Sequence, residues 1–398
     1  MHRKAEENYN GSKISVSDIS TISSNNSQRY SDNPLGTNDF GQFDIIDDLD
    51  YDDVDDGLIV DQELLHQYRE AIIRQLYEGE KKFLETLEFI LNTYLYPLRK
   101  NTKTSTFNFL GMKKAPCTEK EMTWLFSNIE ALYKVHVENM DTLEERLSIW
   151  GPTQIISDII QTRLAQTRKA YINYFDQYGT MITTFERLSR YQPFKKFIET
   201  VESNSKGVNL LMLLKSPVDC VERYVFQLTK LADSTSTMHP DYIGLMQCKQ
   251  RIQALDVEFK APVNDALNVD KVYQIHLKMT GQPFGVKAER RIILQDNFTR
   301  PNRLSGEETC YFLFSDMLVF ARQKSNTLQY KGHILLQKSK VKPNVNDFSV
   351  EIICPFQGVD SLNTTFMGSP TTHVIRTLNK IDQTKWITCL EAVITKLQ

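Results

Sequence analysis

Seven histidines and six cysteines are the residues best suited to metal, nucleophilic or redox chemistry in this 398-residue chain, and their spacing suits none of it. The histidines stand singly. Cys117, Cys220, Cys248, Cys310, Cys354 and Cys389 lie far apart with no CxxC pair, which fits reduced cytosolic thiols better than a zinc site or a disulfide frame. GxGxxG, GxxxxGK[ST], HExxH and GxSxG are all missing, so chemistry on covalent bonds is disfavoured and no cofactor or metal is implied. What remains are charged groups that could recognise a partner. Glu80 falls three and four residues from Leu76, Phe83 and Leu84 on an apolar helical stripe. Its carboxylate therefore needs either an ion pair inside the fold or a group on another molecule. Arg290, Arg291, Arg300 and Arg303, with Lys331, Lys338, Lys340 and Lys342 farther on, could bind anionic phosphoinositide headgroups weakly through local positive potential, or could form the solvated rim of a sheet. Glu307 and Glu308 interrupt that basic run.

The elements that must position these groups follow from composition and periodicity. With 41% hydrophobic and 24% charged residues the chain is ordinary globular material, and a net charge of −3 gives no global pull toward nucleic acid. Its length exceeds what one core usually serves, so two folded domains are expected. The N-terminal MHRKAEENYN lacks an apolar h-region and no run approaches the roughly 18 apolar residues of a membrane span, so a cytoplasmic, at most membrane-peripheral, protein is expected.

Residues 1 to about 43 are rich in Ser, Asn, Thr and Asp and read as a disordered tail. From Asp39 to Glu63 eleven acidic residues occur with no Lys or Arg, interspersed with Phe40, Phe43, Ile45, Ile46, Leu49, Tyr51 and Val54. This stretch is either a solvated linker or a segment that docks on a basic surface and inhibits it. Residues 63–278 carry the 3.6-residue period of an all-helical bundle. Its first helix should end before Pro97, and further helical stretches cover about 119–149, 153–186, 190–203, 207–236 and 240–278. At about 280 the period changes to 2, and six short strands between Arg291 and Leu378 predict a small antiparallel β-sandwich or barrel. A final helix with Trp386, Leu390, Val393 and Leu397 on one face should cap its open end, with Trp386 as core. Residues 1–62, 63–278 and 279–398 are thus the expected divisions.

Three blocks in this order resemble a known family. Ile72 to Leu87 (IIRQLYEGEKKFLETL), followed by Tyr96-Pro97-Leu98, resembles the first block of Dbl-homology domains. Leu213 to Leu228 (LLKSPVDCVERYVFQL), followed by His239-Pro240-Asp241-Tyr242, resembles their third block. Arg290 to Leu294, then Tyr311 to Ala321 (YFLFSDMLVFA), and finally Trp386 resemble the pleckstrin-homology domain that follows nearly every Dbl-homology domain. The resemblance implies guanine-nucleotide exchange on a Rho-type small GTPase, by a helical surface that binds the switch segments and holds the nucleotide-free form. It also implies three site positions. The family's early acid falls on Gln75, its third-block base on Arg223, and an amide position near the end of the last long helix on Lys260; with Glu80 these make the expected GTPase-binding set. Gln75 lacks the acid's charge, which leaves open a scaffold that binds a GTPase or a membrane without accelerating exchange. An arginine finger at Arg223 is disfavoured, because its block sits mid-helix rather than on a loop.

Overall fold

In the computed structural model, residues 56–107, 114–205, 207–299, 308–355, 357–359, 365–367 and 370–398 are described. The N-terminal tail, the acidic segment as far as Asp55, and Arg300 and Arg303 lie outside them. Helix α1 (Asp56–Phe89) follows from its apolar stripe, since Ile72, Ile73, Leu76, Phe83 and Leu87 are all buried. It does not stop before Pro97. A π-helical turn (Ile90–Leu95) buries Ile90, Leu91, Tyr94 and Leu95 and passes directly into α2 (Tyr96–Phe107). Proline has no N–H to give and its ring crowds the preceding turn, and the wider π turn just upstream relieves that crowding.

Helix α3 (Glu119–Phe126) opens with a reciprocal capping box between Thr118 and Glu121. The single helical stretch expected over 119–149 divides here. Ser127 takes φ 48, a left-handed conformation that ends the helix, and the Asn128 side chain donates to the Ala170 carbonyl at 2.9 Å before α4 (Ile129–Ser148) begins. Helices α5 (Ser157–Ser189), α6 (Gln192–Asn204), α7 (Leu210–Asp233) and α8 (Tyr242–Lys278) complete the bundle. The Asp241 carboxylate pins three of them. It accepts from the Ile156 and Ser157 backbone at 2.9 and 3.2 Å, capping α5, and pairs with buried Arg69 of α1 at 2.8 Å just ahead of α8.

The chain leaves α8 straight into a sheet of order β1-β5-β4-β3-β2. The strands are β1 (Met279–Thr280), β2 (Ile292–Thr299), β3 (Glu308–Phe314), β4 (Met317–Lys324) and β5 (Thr327–Leu335). β1 pairs with β5 in parallel, the exception in an otherwise antiparallel sheet. A second sheet, β10-β7-β6, holds β6 (Lys340–Pro343), β7 (Ser349–Cys354) and β10 (Thr371–Arg376); β8 (Gln357–Val359) and β9 (Thr365–Met367) form a separate pair. Helix α9 (Lys380–Lys396) caps the sandwich. Trp386 is fully buried against Phe298 and Tyr311, and its indole N–H donates to Asp296 at 2.9 Å, so it is core as expected.

The five-stranded sheet is buried on both faces. Leu294, Leu313, Leu318 and Ile334 look into the sandwich, while Phe312, Phe314, Met317 and Val319 join the core that runs through α5, α7 and α8. This is why β3 and β4 read as continuous apolar runs rather than alternating ones.

Candidate functional site

Three of the four expected GTPase-binding residues, Gln75, Glu80 and Arg223, lie on or beneath the seam where α1 and α7 pack antiparallel. Tyr68 meets Lys230, with the ammonium 5.3 Å from the ring centre; the Gln227 side chain donates to the Gln75 carbonyl at 3.3 Å; and Glu80 meets Tyr224. Gly79 sits against Arg223, so close that an added Cβ would stand 3.4 Å from Nε. Arg223, Phe226, Gln227 and Lys230 recur at i, i+3, i+4 and i+7 and share one face of α7. Gln75 is exposed on the α1 side of this seam, and Arg223 is half-buried. The structure therefore places Gln75 and Arg223 along one seam.

Arg223 is a sheltered cation with unspent donor capacity. Its Nη2 donates to the Cys220 sulfur at 3.0 Å, its guanidinium lies 5.9 and 6.0 Å from the ring centres of Phe83 and Tyr224, and its Nε has no acceptor among the described residues. Burial pushes the Cys220 thiol up to about 12, so it stays protonated and offers Arg223 only a weak acceptor.

Glu80 supports this seam from below. It is 2% exposed, which directs its carboxylate inward rather than to a partner molecule. Of the two readings left open for Glu80, the structure shows the internal one. One oxygen meets His136 Nδ1 at 2.6 Å and the other accepts from the Tyr224 hydroxyl; His136 Nε2 meets the Tyr171 hydroxyl at 3.1 Å. The two contacts, one at each ring nitrogen, set the ring's orientation. Burial first, and then the Glu80 charge among other neighbours, pushes the Tyr224 phenol well above its ordinary value, keeping it a neutral donor.

Lys260 is exposed on α8, and no hydrogen bond or ion pair joins it to Gln75, Glu80 or Arg223 among the described residues. Its neighbour Phe259 turns inward onto Phe175 and Tyr171. Sequence reasoning missed Tyr68 and Phe226, which are 49% and 66% exposed beside the seam. Their helical spacing from Gln75 and Arg223 was the available signal.

The expected lipid site needs correcting. Arg290 is 4% exposed and makes a bidentate pair with Asp316 at 2.8 and 2.7 Å, while Arg291 pairs with Asp265 of α8. Asn268 of α8 exchanges two hydrogen bonds with the Ile292 backbone, at 2.9 and 2.8 Å. Arg290 is thus spent inside the sheet region and Arg291 on the join between α8 and the sheet, and neither guanidinium is left to meet a headgroup. Lys331, Lys338, Lys340 and Lys342 are exposed.

Residues 72–259 match the family model of the RhoGEF domain. Among curated proteins the chain is similar to FERM, ARHGEF and pleckstrin domain-containing protein 2 of Mus musculus, 23% identical over 81% of this chain and 29% of that protein. It is also similar to Rac guanine nucleotide exchange factor B of Dictyostelium discoideum, 20% identical over 64% of this chain and 23% of that protein. The chain thus spans less than a third of either relative. Among solved structures, the linker-DH/PH domains of p115-RhoGEF align over 85% of this chain and 99% of theirs, with a TM-score of 0.50 and 12% identity. At that identity the likeness is one of fold: a DH-like helical region followed by a PH-like sheet region with a C-terminal helix.

Proposed function

We propose that this chain is a guanine-nucleotide exchange factor that stabilises the nucleotide-free state of a Rho-type small GTPase. The observation that carries the proposal is the α1–α7 seam inside the RhoGEF domain, where Arg223 keeps a donor without an acceptor and exposed Phe226 and then Tyr68 follow along the same seam. An exposed aromatic beside a sheltered arginine has the composition of a protein-binding hot spot. The exchange activity named for the Dictyostelium relative supports the same reading.

In this reading Arg223, Gln75 and Lys260 face the GTPase, while Glu80, His136 and Tyr224 position the seam. No covalent step is required: by linkage, whatever affinity the seam has for the empty form over the loaded form is the affinity the nucleotide loses. The protein acts as a regulator rather than as an enzyme making or breaking bonds. A cytoplasmic location belongs to the same proposal, supported by the free cysteines. So does a division near residue 278, where α8 gives way to strands.

The test is complex formation with Rho-type GTPases stripped of nucleotide, against the same GTPases loaded with GDP and Mg²⁺. Preferential binding of the stripped form is expected, and equal binding of both would overturn the proposal. Gln75, neutral where the family carries an acid, favours the alternative of a scaffold that binds a GTPase without accelerating exchange. That scaffold would bind loaded and empty forms alike.

A further inference from the structure

The helical bundle has two apolar cores that stop short of each other. Leu76, Leu255 and Phe259 belong to the larger, Leu143, Ile156 and Ile159 to the smaller, and between them lies a cavity of about 100 Å³. Helices α1, α4, α5, α7 and α8 all contribute to its wall. Two ion pairs tie the wall helices together: Arg163 of α5 to Glu138 of α4 at 2.7 Å, and Arg168 of α5 to Glu258 of α8. The space is therefore braced.

The chemistry of the lining selects its contents. It is overwhelmingly aliphatic and aromatic, and most charged groups that reach it already have partners: Glu80 with His136 and Tyr224, Arg163 with Glu138, and Arg168 with Glu258; the remaining one, Asp256, is exposed to solvent. Among the buried polar atoms of the lining the exception is Asn139, whose Oδ1 accepts no hydrogen bond. A water needs two to four polar partners to settle in a cavity, and one open acceptor is too few. A void left empty forfeits the dispersion contacts of its lining.

We propose that this cavity is a binding site for a small neutral molecule, an apolar body about the size of one ring that carries a single hydrogen-bond donor. The body packs on the leucines and isoleucines, and the donor meets Asn139 Oδ1. Charged ligands are disfavoured because the one unpaired charge on the lining, Asp256, is exposed and leaves the buried interior without a counter-charge, and long acyl chains for want of volume. The site is separate from the exchange reading, and its test reads binding alone.

Phenol and benzene serve as probes on the full chain, followed by thermal unfolding and titration calorimetry. Phenol should bind saturably, raise the melting temperature by about 3 °C at ten times its Kd, and bind about fivefold more tightly than benzene. Asn139→Leu should abolish that preference while benzene still binds. Ile252→Phe, which fills the space, should block both probes, with its own unliganded melting curve reporting that it folds. No saturable binding of either probe to the unaltered chain would overturn the site. A phenol preference that survives Asn139→Leu would overturn the assigned acceptor, and binding that survives a folded Ile252→Phe would overturn the assigned cavity.

Discussion

A carboxylate without water around it must be satisfied by the fold, and Glu80 shows where its partners come from. His136 stands 56 residues away and Tyr224 stands 144 away, each on a different helix. The sequence showed that Glu80 needed a partner because its place on the stripe is local information. It could not show which, because those partners meet only after α4 and α7 have packed. Glu80→Ala strands both of them, and should cost about 3 kcal/mol, read as a lower urea midpoint at an unchanged m-value. Arg223 is the opposite case, a group the fold leaves partly unspent. Arg223→Glu should slow exchange at least tenfold, about 1.4 kcal/mol, with far-UV circular dichroism unchanged. Undiminished exchange by this variant would remove Arg223 from the site. Phe226, 66% exposed, should lose about 2 kcal/mol of GTPase affinity as Phe226→Ala, measured by calorimetry on the nucleotide-free complex.

Elements show where local pattern is enough and where it is not. Helices α5 to α8 begin and end close to where periodicity and the Gly, Pro and Asn breaks put them. The exceptions are the passage through Pro97, which depends on a π turn, and the break at Ser127, which depends on Asn128 finding the Ala170 carbonyl across the bundle. β6 went unread, because its four residues end in proline and are largely exposed, so no alternation marks them. The arginines at 290 and 291 were legible as charge but not as clamps, since Asp265 and Asp316 reach them from two other elements. Burial alone would raise the Asp316 carboxyl, but hydrogen bonds and charge from Arg290 outweigh it and hold it below the usual carboxylate range. A carboxylate depressed in this way contributes stability that is complete above its unfolded pKa, roughly 3.9, and is lost as pH falls through its lower folded value. Asp316→Asn should therefore cost about 3 kcal/mol near pH 7, by leaving Arg290 buried without its anion, and the gap from the unaltered chain should close as pH falls below about 4. A gap that persists in acid would deny the pair its role.

At the scale of the molecule, the order of helices followed by strands was plain from the change of period near residue 280. That one apolar core runs from the bundle into the outer face of the sheet was not, because continuous runs such as those of β3 and β4 say only that both faces are covered, not by what. The consequence is a direct join: α8 passes into β1 without a loop, and α5 lies so close to the chain before β2 that a Cβ on Gly179 would stand 2.7 Å from the Ala288 carbonyl. In the proposed function this framework presents a surface which empties a GTPase. Release of a fluorescent GDP analogue from a panel of Rho-type GTPases, with the full chain added at micromolar concentration, tests it most directly. Faster release from at least one member is expected, while unchanged release from every member by the folded protein would overturn the exchange function.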